Sequence, residues 1–233
     1  MTLEYLVLFD IDGTLLWPDG AGRAAMQAAL EQVYGTAGPI DAYRFGGRTD
    51  RQIVRDLMLE AGLAPEIIWA RFDAFAQALA DETRARLSNG RHHVRACTGG
   101  PELVAALDAR HDVLPGLLTG NLETTARLKL AAAGYDPTLF RVGAFGGEST
   151  ERAELAALAV HRAREQWAPF EGPRIVVVGD TPADIRCGEA LGVRTIGVLT
   201  GWNSRAELED AGADVIFDDL ADTAAVLTAM LVP

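Results

Sequence analysis

The chain has 233 residues, enough for one large domain or for a domain carrying an insertion, since domains commonly run ~100–200 residues. Hydrophobic residues make up 49% and charged residues 23%, which excludes wholesale disorder and fibrous repeats. The excess of 33 acids over 21 bases gives a net charge of −12, which opposes broad binding to nucleic acid or anionic membranes. Small anionic substrates are not opposed, because a bound cation can reverse the sign locally.

The elements follow in chain order. Residues 5–9 (YLVLF) form an apolar run that predicts a buried strand, and Asp10 ends it. Three helical patterns come next, at 22–34, 50–62 and 65–87, with turn-like breaks at 35–41 and 62–65 and no strand expected between them. The exit from this helical stretch is expected at 88–93 (SNGRHH). Apolar runs at 113–118, 175–178, 195–198 and 215–217, with a weaker one at 140–145, predict further strands. Helical segments at 122–133, 153–166, 183–191, 205–210 and 219–231 alternate with them. Near-continuous apolar strands alternating with helices predict an open, parallel α/β sheet covered on both faces. Local signals agree with several boundaries: a capping box over 204–207, Thr181-Pro182 at a helix start, and Gly134 past a helix end.

Other classes lose support. Cys97 and Cys187 lie far apart with no Cys-x-x-Cys, so no zinc knuckle, redox pair or disulfide scaffold is expected, and a reducing, cytoplasmic setting fits. No basic stretch precedes a long apolar run at the N-terminus, and nowhere do 18 apolar residues run together, so neither a signal peptide nor a membrane span is expected.

Chemistry concentrates at three strand ends, where ligands of parallel sheets sit. Asp10-Ile11-Asp12-Gly13-Thr14 follows the first strand; read alone, it is also an ordinary turn. Thr119-Gly120-Asn121 follows 113–118 and precedes a helix, where a hydroxyl and free N–H groups can hold a phosphoryl oxygen or simply start the helix. Gly179-Asp180-Thr181-Pro182-Ala183-Asp184 follows 175–178. Asp184 falls at the third helical position after Thr181, so helix capping and support of a site are both open for it. Clustered carboxylates repel one another unless a hard cation joins them, and oxygen donors beside phosphate suit magnesium. One carboxylate can then attack phosphorus while a second, two residues on, handles the proton.

These three motifs, in this order, resemble the haloacid dehalogenase superfamily, and in particular its phosphoglycolate-phosphatase-like branch with a helical cap after the first motif. The resemblance spans nearly the whole chain. It implies a Rossmann-like core over 1–14 and 96–233, and an α-helical cap domain over 15–95. It further implies Asp10 as nucleophile, Asp12 as general acid/base and Thr119 as phosphate binder, with Gly120 and Asn121 beside it. Mg2+ would be held by Asp10, the Asp12 backbone carbonyl and Asp180, with Asp184 supporting.

The family's fourth motif, a lysine ahead of the last acidic motif, is absent. Arg152 stands at the right distance and before a helix, and its guanidinium can hold phosphate through a bidentate fork. Lys129, the sole lysine, lies in a helix soon after TGN, where a solvated helix-face charge is the expected role; Arg152 is preferred as the phosphate clamp.

The second acid, Asp12, favours phosphoryl transfer over dehalogenation, and the lack of any lysine in 15–95 argues against the phosphonatase-like branch. The expected function is hydrolysis of a small phosphorylated metabolite. The alternatives are a phosphosugar mutase of the same superfamily and a non-catalytic binding protein on the same fold. Arg48, in Phe45-Gly46-Gly47-Arg48-Thr49-Asp50, resembles the cap's substrate-facing segment and is a candidate contact for a carboxylate or hydroxyl, with a plain surface arginine equally open. Adjacent His92 and His93 do not suggest a metal site. The tryptophans Trp17, Trp69, Trp167 and Trp202 lack interleaved basic residues, so base stacking is not expected. Cys187 is expected to be a small buried packing residue.

Overall fold

A computed structural model of the chain describes residues 3–89 and 92–231. The core is a six-stranded sheet in the order β5-β4-β1-β6-β7-β8, every neighbouring pair parallel. Its strands are β1 (Tyr5–Phe9), β4 (Val113–Thr119), β5 (Val142–Phe145), β6 (Ile175–Gly179), β7 (Arg194–Val198) and β8 (Val215–Phe217). β1 lies between β4 and β6, so three chemistry-bearing strand ends become direct neighbours.

Both faces of this sheet are covered, which explains why β1 reads as a continuous apolar run. Val7 and Phe9 face one apolar cluster with α5 (Gly100–Asp108), α6 (Glu123–Ala132) and α10 (Thr223–Met230). Leu6 and Leu8 face the other, with α7 (Arg152–Gln166) and α8 (Pro182–Leu191). At ~25 cal/mol per Å² of apolar surface removed from water, this two-sided burial is the main force holding the strand ends in place. The short α9 (Arg205–Asp210) begins with the capping box expected at Ser204 and Glu207.

Between β1 and α5 stand four helices: α1 (Ala21–Tyr34), α2 (Asp50–Glu60), α3 (Pro65–Ala70) and α4 (Phe72–Ser88). They share their own apolar cluster, which includes Leu30, Leu57, Met58 and Phe75 and also takes in Leu122 from the start of α6. Among the described residues no helix is long and apolar enough to cross a membrane.

Four sequence expectations need correction. The helix expected at 65–87 is two helices with a break at Arg71, whose guanidinium reaches back to the Val33 carbonyl at 3.1 Å. The stretch expected to lack strands begins with β2 (Leu16–Trp17), paired antiparallel with β3 (Arg95–Ala96); two-residue strands are too short to show periodicity. α5 was not expected, because its N-cap is Gly99 at φ 77, which offers no side-chain cap to read. The last helix begins at Thr223 instead of 219, with Asp222 as its N-cap. The exit expected at 88–93 includes Gly90 and Arg91, which lie outside the described residues.

Candidate active site

Asp10 continues directly from β1, its N–H donating to the Val178 carbonyl of β6 at 2.9 Å. That ladder bond fixes its backbone, and its side chain is almost completely buried. Asp180, at the end of β6, is fully buried and accepts from the Thr14 hydroxyl at 3.2 Å. Gly13 makes this approach possible. Its φ is +90°, and a Cβ there would lie 2.6 Å from an Asp180 carboxylate oxygen. Asp184 takes both roles left open for it. It closes the capping box with Thr181 at the start of α8, and its other carboxylate oxygen meets Arg152.

Arg152, the first residue of α7, is the cation among these acids. Its Nη2 lies 3.0 Å from Asp10 Oδ1, contacts Asp184 Oδ1 and donates to the Leu118 carbonyl at 3.4 Å. Burial pushes the Asp10 carboxyl up to about 6; Arg152 opposes the shift, while Asp184 and Asp12 add to it. Burial, reinforced by Asp10 and Asp184, raises Asp180 well above the usual carboxylate range.

The acids fit a cation. Asp10, Asp180 and Asp184 each offer a carboxylate oxygen within 4.8 Å of the others. Asp180 Oδ2 is buried and has no hydrogen-bond partner, a costly arrangement for a carboxylate oxygen unless a cation takes it up. An all-oxygen donor set suits a hard divalent ion. The Asp12 carboxylate is not part of this cluster.

Asp12 instead faces Lys129 and Asn121. Lys129 Nζ lies 2.7 Å from Asp12 Oδ2 and 2.6 Å from Asn121 Oδ1. The Asn121 amide donates to the same Asp12 oxygen and to the Thr119 hydroxyl, each at 2.9 Å. The expected solvated Lys129 is therefore corrected: only 4% of it is exposed. A signal for this was present in the sequence. Leu122, Thr125, Ala126, Lys129 and Leu130 follow the i, i+3, i+4, i+7, i+8 spacing of one helix face, and all five are buried. Lysine on that face points inward.

Thr119 is fully buried at the end of β4, under Asn121, while Gly120 and Asn121 line the open cavity. A Cβ at Gly120 would overlap the Arg48 carbonyl, so glycine lets the segment before α2 lie against this strand end. The start of α2 is tied down there. Asp50 N–H donates to the Gly120 carbonyl at 2.7 Å, and Asp50 Oδ2 accepts the Leu122 N–H at 2.8 Å. Sequence reading missed this use of Asp50, since nothing local marks residue 122 as its partner. Burial pushes the Asp50 carboxyl to about 6, partly offset by the Leu122 N–H and Lys129.

A cavity of about 770 Å³ opens above the strand ends, lined by Asp10, Asp12, Lys129 and Arg152 below and by Arg48 on the helical side. Trp202 lines it as well, packed at a 35° tilt against Trp17 with ring centroids 4.5 Å apart. His92 and His93 do not line it: the His92 ring meets the Asp19 carbonyl at 2.8 Å, and the His93 backbone N–H donates to the Asp19 carboxylate at 2.9 Å. Cys187 is buried as expected.

The model of the haloacid dehalogenase-like hydrolases matches residues 7–189, from β1 through most of α8. The chain belongs to this family. It is 27% identical over 231 residues to a phosphoglycolate phosphatase of Rhodospirillum rubrum, covering 92% of this chain and 87% of that one. A phosphoglycolate phosphatase of Haemophilus influenzae is 33% identical over 102 residues, covering 42% of each chain. Among solved structures, a hydrolase from Pseudomonas syringae superposes with a TM-score of 0.71 at 21% identity, covering 96% of this chain and 98% of that one. The chain thus shares its fold with that structure over nearly its whole length, and its strand-end acids lie within the segment that the family model matches.

Proposed function

We propose that this family member is a magnesium-dependent phosphatase that hydrolyses a small phosphomonoester through an aspartyl-phosphate on Asp10. The observation that carries the reading is the division of labour at the floor of the cavity. Asp10 lies beside Arg152 and the cation-binding acids, while Asp12, two residues on, is turned away from them towards Lys129 and Asn121.

In the first half-reaction Asp10 attacks phosphorus, and the bond to the leaving oxygen breaks with its electron pair on that oxygen. Asp12 delivers the proton that the oxygen needs. In the second, a water attacks phosphorus, Asp12 takes its proton, and the Asp10–phosphorus bond breaks to release phosphate. Arg152 holds the Asp10 carboxylate in line and offsets charge on the phosphoryl oxygens, with Gly120 and Asn121 completing the cradle and Thr119 holding the Asn121 amide from beneath. Mg2+ would be held by Asp10, Asp180 and the Asp12 carbonyl with Asp184 in support, and when bound it supplies further neutralisation of the phosphoryl group. Residues 15–95 act as the cap that shields the transfer from bulk water, over a core of 1–14 and 96–233.

The test is phosphate release from p-nitrophenyl phosphate and from phosphoglycolate, with Mg2+ and with chelator, for wild type and Asp10→Asn. Turnover that needs Mg2+ and is lost in Asp10→Asn supports the reading. No release by folded wild-type protein overturns it.

A further inference from the structure

The floor accounts for one phosphoryl group, but the cavity carries more positive charge than one group needs. Among the described residues, Arg44, Arg48, Arg95 and Arg186 are the arginines whose side chains make no hydrogen bond, ion pair or ring contact; three of these four, Arg44, Arg48 and Arg186, line this cavity. Arg44 feels Glu207 only at longer range, and that carboxylate is engaged by Ser204 at the start of α9. In a chain of net charge −12, three guanidiniums outside any ion pair, on a wall that also carries Glu207, stand against the general field.

They come from two parts of the chain. Arg44 and Arg48 flank Phe45-Gly46-Gly47, ahead of α2, and Arg186 lies on α8 just beyond Asp184. Gly47 joins them: its φ is +72°, and a Cβ there would lie 2.7 Å from Ala183 Cβ, so the loop rests on the first turn of α8. Beside them, Trp202 is 60% exposed, yet its ring is held by packing against Trp17. That combination offers a fixed, apolar ring face on the cavity wall.

We propose that this wall is a specificity subsite for a second, distal phosphoryl group, and that the preferred substrates are sugar bisphosphates whose ring lies against Trp202. The inference rests on the phosphatase reading above and narrows it. One carboxylate would leave most of the guanidinium donors unused, whereas a dianionic phosphoryl group takes several charge-assisted hydrogen bonds. The volume agrees, since about 770 Å³ lies in the range of cavities that hold drug-sized ligands, far above the needs of a two-carbon acid.

The experiment measures kcat/KM for a hexose bisphosphate, the matching hexose monophosphate, phosphoglycolate and p-nitrophenyl phosphate, using the Mg2+-loaded protein. The expected preference for bisphosphate over monophosphate is about tenfold or more, carried by KM, as fits a charged contact present in ground and transition states alike. Arg186→Ala and Arg48→Ala should each collapse that ratio towards one, whereas Arg95→Ala, at the unpaired arginine outside the cavity, should keep it. A ratio near one in wild type, or one untouched by Arg186→Ala and Arg48→Ala, overturns the subsite while p-nitrophenyl phosphate turnover leaves the phosphatase reading standing. Loss of all turnover, p-nitrophenyl phosphate included, overturns both.

Discussion

The floor and the wall of the cavity treat charge in opposite ways. On the floor, Asp10, Asp180, Asp184 and Arg152 are all buried, and the one guanidinium is committed to two of the carboxylates. On the wall, Arg44, Arg48 and Arg186 are exposed and uncommitted. Buried, fixed charge has already met its desolvation cost during folding, so it stabilises developing charge without reorganising at the moment of reaction. Hydrated, mobile charge still has its water to lose and serves recognition. On the proposed function the floor sets what reaction occurs, and on the proposed subsite the wall sets which molecule undergoes it.

The strongest way to break this division is Asp10→Asn. If the floor does the chemistry, phosphate release falls by roughly 10⁴-fold or more for every ester, whatever its second group. A stopped assay on folded Asp10→Asn protein decides it; a loss confined to bisphosphates would move the chemistry away from the floor.

The second test compares the two buried cations. Arg152→Ala leaves Asp10 and Asp184 buried without their counter-charge, a change that costs about 3–5 kcal/mol where it has been measured. Its melting temperature should drop, and its turnover should fall further than that of Lys129→Ala. Arg152→Lys keeps the charge but not the fork, so it should melt nearer to wild type and recover part of the rate. Lys129→Ala leaves Asp12 with the Asn121 amide as its remaining donor, and about 10²-fold in kcat/KM is the expected loss for misaimed proton transfer. A larger loss in Lys129→Ala than in Arg152→Ala would make Lys129 the phosphate clamp.

A third substitution probes the cation site alone. A Cβ at Gly201 would overlap the Asp180 carboxylate, so Gly201→Ala should displace that side chain. The Mg2+ concentration giving half-maximal rate should rise about 10-fold, a size typical of disturbing a metal ligand's support. An unchanged Mg2+ dependence would remove Asp180 from the ligand set.

The same contrast governs what the sequence reveals. Asp10 and Asp180 are legible because each follows a short apolar run, and a parallel sheet places such strand ends side by side. Arg152 is legible only through the family resemblance, which implies a cation ahead of the last acidic motif. Lys129 is misread because its chemistry suggests water, although its spacing with Leu122, Ala126 and Leu130 places it on the packed face. Asp50 is not legible at all, since its partner Leu122 is distant in sequence and the bond exists only once α2 has docked. Nor are the free arginines, because being unpaired is a property of the folded surroundings. In the fold, the strands and most helices follow from periodicity, while the β2–β3 ribbon and α5 escape because neither carries a periodic or capping signal.

Asp50 provides the smallest and most specific test, because it joins the helical side to the floor through one buried carboxylate. Its folded pKa is raised to about 6 from an ordinary 3.8, so the folded state holds the proton more tightly than the unfolded chain. The stability this contributes is complete below about 3.8 and is lost as pH rises through about 6. Asp50→Asn removes that dependence while keeping an oxygen to accept the Leu122 N–H. Measured against wild type, the Asn variant should therefore gain relative stability between pH 4 and pH 7, by roughly 1–3 kcal/mol at ~1.4 kcal/mol per pK unit. Denaturant unfolding of both proteins across that interval gives the comparison. A difference that stays flat with pH would mean that Asp50 titrates normally, and that the start of α2 is open to water where it meets β4.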